Sequence, residues 1–362
     1  MLMMSSLAWK RTALVCGATL FCMASLELGL RVVSPVKTFV NPLGAFHQSD
    51  AELGWSGLPD LAARFRKVDF DVVVRHNPRG FREKSAAVQP KTGSPLLVVL
   101  GDSFTWGWGV NNGRVFTDVM QNQLPEFNVA NLGVNGYGTV QEFLLLKNCL
   151  KNGLRPRHVV VMVFNNDFYD NIDASGGRPW LAVQGTNITL QNYPVRKRVI
   201  SPFKRFTRQS YLASAIAYFA DFWKERRRIE QLERSVFQEG AMTAAPERAM
   251  DYVLGQFRQL CQQEGMGLLV GYVPAAGDIK LDAPSPARSV LTELCQKHGV
   301  PLLDLTPGFR KAGTDALARY YFPHDEHWNE QGHALAGTLL ADFIKDAWDW
   351  GHPLGFQEAT MR

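Results

Sequence analysis

Four short polar segments carry the side chains able to do chemistry: Gly101-Asp102-Ser103-Phe104, Asn131-Leu132-Gly133, Asn166-Asp167 and His324-Asp325-Glu326-His327-Trp328. A serine hydroxyl such as that of Ser103 is a poor nucleophile until a neighbouring base removes its proton. That base must titrate near neutrality, which selects histidine. His327 follows Asp325 by two residues, so in an extended loop both side chains point the same way and the carboxylate orients the ring; His324 and His333 are its competitors. Attack on an ester leaves negative charge on the carbonyl oxygen, which needs fixed donors. Gly133 offers a backbone N–H and Asn166 a side-chain amide. Plainer roles compete with these. Asp102 or Ser103 would cap the helix that follows, and glycine and asparagine are ordinary turn residues. His324, Asp325, His327 and His333 would also serve as metal ligands, although their spacing is not His-Glu-x-x-His. The serine segment is not a Gly-x-Ser-x-Gly elbow, because Thr105 occupies the last glycine position.

These segments follow buried strands. Apolar runs at 95–100, 127–132, 158–164, 267–273 and 301–305 alternate with amphipathic stretches at 115–124, 139–150, 247–264, 289–298 and 331–347. Short apolar strands alternating with helices imply a parallel sheet covered on both faces. Ligands in such sheets bind beyond the carboxyl ends of the strands, where the strand order reverses. The segments of Ser103, Gly133 and Asn166 each follow a strand directly. The histidine segment follows the last strand and a short helix. Residues 68–75 are expected as a strand ahead of an Asn77-Pro78-Arg79-Gly80 turn.

Together, in this order, the four segments resemble the SGNH (GDSL-type) hydrolase superfamily, over about residues 97–340. Ser103 matches its nucleophile block, Gly133 its glycine block, Asn166 its asparagine block and His327 its histidine block. The resemblance implies a flavodoxin-like three-layer α/β/α domain, no cofactor, and ester hydrolysis or acyl transfer. It implies an oxyanion site built from the N–H groups of Ser103 and Gly133 and the Asn166 amide. One residue separates Asp325 from His327, where the usual block has two. The Asp-Glu-His-Trp sequence is instead similar to the Asp-x-His-Trp of bacterial envelope proteins that move acetyl groups on exopolysaccharides, such as alginate O-acetylation proteins. The expected substrate is therefore an acylated envelope glycan or another ester, with a lipid or thioester as the alternative. A non-catalytic glycan-binding protein on a hydrolase fold is the rival class. Trp106, Trp108, Tyr137 and Trp328 are candidates to flank the site, although tryptophans near a strand edge serve the core as readily.

Lys10 and Arg11 precede an apolar run that continues to Val33. A basic start before about 20 apolar residues marks an anchor with its basic end in the cytoplasm. The segment ends in Glu-Leu-Gly-Leu-Arg and looks like that of membrane-anchored bacterial members of the superfamily, which places the catalytic domain outside the inner membrane. Glu27 and Arg31 are spaced to pair on one helix face. The chain thus divides into an anchor (1–33), a small extension with short strands (34–94) and the hydrolase domain (95–350), interrupted by a basic helical insertion at 195–245. Residues 195–234 hold eleven Lys/Arg against four acids, whereas the whole chain carries only +5. A solvated helix is the plain reading of that insertion, and a rim or lid meeting anionic polymer or lipid the sharper one. The overall charge is too small to argue for nucleic acid, and no nucleic-acid-binding motif is present. Five cysteines exclude a disulfide scaffold. Cys149, Cys261 and Cys295 fall on amphipathic stretches and are expected to pack.

Overall fold

A computed structural model describes residues 6–33, 45–82, 93–195, 210–216, 219–220, 223, 244–280 and 284–347. In chain order these form helix α1 (Ser6–Val33), two antiparallel pairs, β1 (His47–Asp50) with β2 (Gly54–Gly57) and β3 (Ala62–Arg66) with β4 (Asp71–Arg75), and then β5 (Leu96–Leu100). The expected strand at 68–75 starts only at Asp71. Lys67 N–H donates to the Phe70 carbonyl at 2.9 Å, turning residues 67–70 into the tip of the β3–β4 hairpin. There follow α2 (Ser103–Trp106), α3 (Phe116–Gln123), β6 (Asn128–Asn131), α4 (Thr139–Lys151), β7 (His158–Val163) and α5 (Asp167–Asp170). Next come the antiparallel pair β8 (Trp180–Gln184) and β9 (Asn187–Gln191), then α6 (Ala244–Gln263), β10 (Gly267–Tyr272) and α7 (Ala276–Lys280). The chain ends with α8 (Pro286–His298), β11 (Leu302–Asp304), α9 (Thr306–Arg310), α10 (Ala316–Tyr320) and α11 (Glu330–Ala347).

β5, β6, β7, β10 and β11 form one parallel sheet in the order β11-β10-β7-β5-β6. Numbered within the sheet this is 2-1-3-4-5, the flavodoxin-like order, and it reverses at β5/β7. The apolar strands are buried on both faces because successive side chains alternate. Val98, Leu100, Val159 and Val161 join one core layer with Leu144 and Leu146 of α4, Phe257 of α6 and Leu291 of α8. Leu97, Val99, Val160 and Met162 join the other with Phe116 of α3, Phe309 of α9 and Leu340 of α11. The result is a three-layer α/β/α sandwich. Each such side chain contributes about 1.5–3 kcal/mol by burial. Cys261 and Cys295 are buried, Cys149 is half-buried, and all three are free thiols.

Two compact units are present. One comprises residues 42–198 and 233–362, and holds the sheet together with the β1–β4 extension; the other comprises residues 1–41 and 199–232. In the second, α1 is long and apolar enough to span a membrane over Trp9–Val33, with a mean hydropathy of 1.8. Glu27 and Arg31 form the expected pair at 2.8 Å. Glu27 also accepts hydrogen bonds from Ser210 Oγ (2.8 Å), Tyr211 N–H (3.0 Å) and Leu212 N–H (2.8 Å), capping the helical residues 211–216. The described residues of the insertion between 210 and 223 therefore join α1 in one unit. The insertion's eleven Lys/Arg, Arg226, Arg227 and Arg228 among them, all lie outside the described residues.

Candidate active site

β5 ends at Leu100, and the chain turns at once. A Cβ on Gly101 would sit 2.1 Å from Thr105 Oγ1, so only glycine lets the strand pass into α2 this tightly. Asp102 caps α2: its Oδ1 accepts from Phe104 N–H at 2.9 Å. Ser103 opens the helix and is 8% exposed, so it is buried rather than set in an open loop.

The histidine loop brings its two side chains onto Ser103. His327 Nε2 lies 2.7 Å from Ser103 Oγ. His327 Nδ1 hydrogen-bonds Asp325 Oδ1, and that oxygen also accepts the His327 backbone N–H at 3.1 Å. A spacing of two residues is thus enough, because the Asp325 side chain folds back over the turn that its own backbone bond closes. The other oxygen, Asp325 Oδ2, accepts from Trp108 Nε1 at 2.9 Å. Burial would push the Asp325 carboxyl up. The His327 charge and the hydrogen bonds from His327 and Trp108 outweigh it and hold the carboxyl below its usual range. Burial likewise opposes the charged form of His327, but Asp325 reverses this, with Asp102 and Glu326 assisting, and raises the imidazole above its ordinary value. The row Asp325–His327–Ser103 can carry a proton from the hydroxyl to the ring.

The competing histidines are otherwise engaged. His324 Nδ1 lies 2.7 Å from Asp69 Oδ1, at the tip of the β3–β4 hairpin. His333 is buried on α11, accepts Phe116 N–H at Nδ1 (3.3 Å), and is pushed down to about 3 by burial, so it stays neutral. Of the four residues weighed as metal ligands, only Asp325 and His327 meet, while His324 and His333 face other partners. Among the described residues, no cluster of three or more His, Cys, Asp or Glu is placed to hold a metal.

The two remaining site residues follow the strands on either side of β5. Gly133 follows β6, and its N–H donates to Asn131 Oδ1 at 2.8 Å. That donor is already spent. Gly133 is required for a different reason: a Cβ there would lie 2.4 Å from Trp106 N and 2.5 Å from the Thr105 carbonyl carbon, so the loop packs directly on the backbone of α2. Beyond it, Tyr137 N–H closes a turn on the Val134 carbonyl at 3.1 Å, with Gly136 at φ +76°. Asn166, after β7, donates one amide hydrogen to Asp170 Oδ2 at 2.8 Å. Asp170 in turn pairs with Arg178 at 3.3 Å.

Behind the nucleophile lies a buried acidic group. Burial pushes Asp102 up to about 6. Glu142 and Asp167 are pushed well above their ordinary values, by burial first and then by the other carboxylates. Of the four aromatics expected at the site, Trp106, Tyr137 and Trp328 are core residues, none more than 1% exposed. Trp108 alone reaches the chemistry, stacked on His327 with centroids 4.8 Å apart and planes at 18°. Sequence reasoning missed the hairpin contribution, Asp69 and Lys67, because nothing in a strand of alternating polarity says which loop its tip will meet. Burial pushes Lys67 down to about 8, against the opposing pull of Asp325.

Among solved structures, the chain is similar to a lipolytic protein of the G-D-S-L family from Veillonella parvula (13% identity, covering 69% of this chain and 98% of that one, TM-score 0.41). It is also similar to an acetyl xylan esterase (15% identity, 69% and 99% covered, TM-score 0.42) and to a lipase/acylhydrolase from Enterococcus faecalis (15% identity, 69% and 95% covered, TM-score 0.39). Among curated proteins, none matches the chain. The model of the GDSL-like lipase/acylhydrolase family matches residues 99–335, a span that runs from the end of β5 into α11 and takes in all four polar segments. The chain belongs to that family and is a serine ester hydrolase.

Proposed function

We propose that the protein is an extracytoplasmic, membrane-anchored serine esterase or O-acyltransferase acting on an acyl group, most plainly acetyl, of an envelope glycan. The observation that carries the chemical part is the 2.7 Å approach of His327 Nε2 to Ser103 Oγ, with Asp325 on the opposite ring nitrogen. In the reaction His327 Nε2 takes the hydroxyl proton as Ser103 Oγ bonds to the acyl carbon. The carbonyl π electrons move onto oxygen, and the imidazolium is balanced by Asp325. Collapse of the tetrahedral intermediate breaks the bond to the leaving alkoxide, which takes the proton from Nε2. The acyl group then rests on Ser103. Water or a glycan hydroxyl attacks it, losing its proton to Nε2, and returns Ser103 to the free hydroxyl. Water gives hydrolysis and a sugar hydroxyl gives transfer.

The oxyanion is stabilised by the Ser103 N–H and the second amide hydrogen of Asn166, because the N–H of Gly133 is engaged by Asn131. Preorganised donors of this kind are worth about 2.7–4 kcal/mol each. The location is supported by the spanning length of α1 and by Lys10 and Arg11 at its start. The acetylated-glycan substrate is supported by the Asp-Glu-His-Trp sequence.

The test is intact mass after incubation with acyl donors, alongside turnover of p-nitrophenyl acetate. A mass gain of one acyl group that maps to Ser103 is expected. No acyl adduct and no turnover would instead make this a binding protein on a hydrolase fold. Accumulation of O-acetylated oligosaccharide rather than free acetate would separate transferase from hydrolase.

A further inference from the structure

Trp108 occupies a position with no role in the steps above, yet it touches both partners of the nucleophile. Its Nε1–H holds Asp325 Oδ2, the oxygen that His327 does not use, at 2.9 Å. Its ring lies flat on the imidazole, at 18°. The indole is held in turn by the β3–β4 hairpin, with Phe65 edge-on at 5.0 Å and Phe70 at 6.3 Å. The hairpin also grips the histidine loop from its tip: Asp69 accepts the His324 backbone N–H at 3.0 Å and faces its Nδ1 at 2.7 Å. This hairpin lies outside the 99–335 span of the family match.

We infer that Trp108 is a positioning residue which fixes the Asp325 carboxylate and the plane of the His327 ring, and that the N-terminal hairpin is the brace that holds it there. The inference rests on the proposed roles of Ser103, His327 and Asp325. An aspartate two residues from its histidine, in a loop, has freedom about its side-chain bonds; committing both oxygens removes it. A flat aromatic face also favours the imidazolium that forms when the ring takes the Ser103 proton. Both effects act on the charged intermediate state rather than on substrate capture, so they belong to kcat.

The experiment uses the full chain in detergent with p-nitrophenyl acetate, comparing Trp108→Phe, Trp108→Leu and Asp69→Asn, with Ser103→Ala as the control. Trp108→Phe keeps a stacked ring and loses the N–H. Its kcat should fall roughly 10-fold with KM within about twofold, the scale of one hydrogen bond to a charged group. Trp108→Leu loses the ring as well. Its kcat should fall roughly 100-fold, and the acid limb of kcat/KM should move to lower pH. The other titratable groups facing the pair are unchanged in that variant: Asp102 at the α2 cap, Glu326 beside the ring, Lys67 on the hairpin and the neutral His333 on α11. Asp69→Asn should lower kcat a few-fold with the same KM. Should Trp108→Leu fail to fold, Trp108→Phe decides. Parent kcat and an unmoved acid limb in the Trp108 variants, or a loss confined to KM, would overturn the inference and leave the proposed function standing. Turnover in the parent that survives Ser103→Ala would instead remove the proposed function and the inference together.

Discussion

His327 Nε2 and Ser103 Oγ stand 2.7 Å apart although 224 residues separate them in the chain. The parallel sheet makes this possible. β5 delivers Ser103 at its carboxyl end, and the loop that enters α11 returns across the same edge. Replacing Ser103 with Ala should abolish acyl turnover, to below about one part in 10³, because among the described residues no other nucleophile faces Nε2. The serine is 8% exposed and bonded to His327, so some stability is at stake, about 1 kcal/mol or less. Hydrolysis rates and a thermal melt measure the two separately. Parent-level turnover in the variant would remove Ser103 as nucleophile.

Of the three histidines near the site, only His327 should be indispensable. His327→Ala should cost roughly 10²–10⁴-fold in kcat, the range of general acid–base catalysis. His324→Ala breaks the clasp on Asp69 and should cost far less. His333→Ala should act on stability instead, because that ring is stacked on Phe116 at 9° and buried. Asp325→Asn should retain partial activity, since the ring remains while its orientation suffers. An inactive His324 variant beside an active His327 variant would reverse this ordering.

The pH dependence follows from the same pair. His327 acts as a base only when neutral, and Asp325 raises its value above the ordinary imidazole figure of about 6.5. Activity should therefore be lost as pH falls through a point above that figure. In Asp325→Asn the raising influence is gone, so the acid limb should shift to lower pH even as the plateau drops. The sign is the check: a limb that moves up in Asp325→Asn, or a parent limb well below 6.5, would contradict the charge pairing. His333, pushed down to about 3, should contribute nothing to the limb in this range.

The sheet was legible in the sequence because five short apolar runs, each ending in a polar loop, admit few architectures. The runs at 158–164 and 267–273 became β7 and β10 with one residue trimmed from each end at most. The nucleophile and its base were legible for the same reason: both sit where a strand or the last loop must deliver them. Exposure was not legible. Ser103 reads as a loop residue, yet the packing around it leaves it only 8% exposed. Nor was the state of the Gly133 N–H, which depends on how the Asn131 side chain, two residues earlier, turns back. Trp108, Trp106 and Trp328 look alike in sequence; a hairpin from forty residues upstream decides which of them reaches the histidine.

Glu27 offers the last test, within the unit formed by α1 and residues 199–232. A glutamate accepting Ser210 Oγ and the N–H groups of Tyr211 and Leu212 does for the helical residues 211–216 what an N-cap side chain does, but from a different helix. The first N–H groups of a helix have no partner of their own, so losing this one should cost about 0.5–2 kcal/mol, as for other caps. Arg31 strengthens the arrangement, pairing with Glu27 at 2.8 Å and standing 5.0 Å from the centroid of the Tyr211 ring. Glu27→Ala should therefore raise amide hydrogen exchange at 211–216 by roughly 2- to 30-fold, the free-energy range of a lost cap converted to an opening equilibrium. Turnover of p-nitrophenyl acetate should be unchanged, because the Ser103 unit is braced by its own hairpin. Arg31→Ala should give a smaller rise, since it removes one partner of Glu27 and leaves the cap itself. Unchanged exchange at 211–216 in Glu27→Ala would mean that the insertion is not held to α1 through this carboxylate.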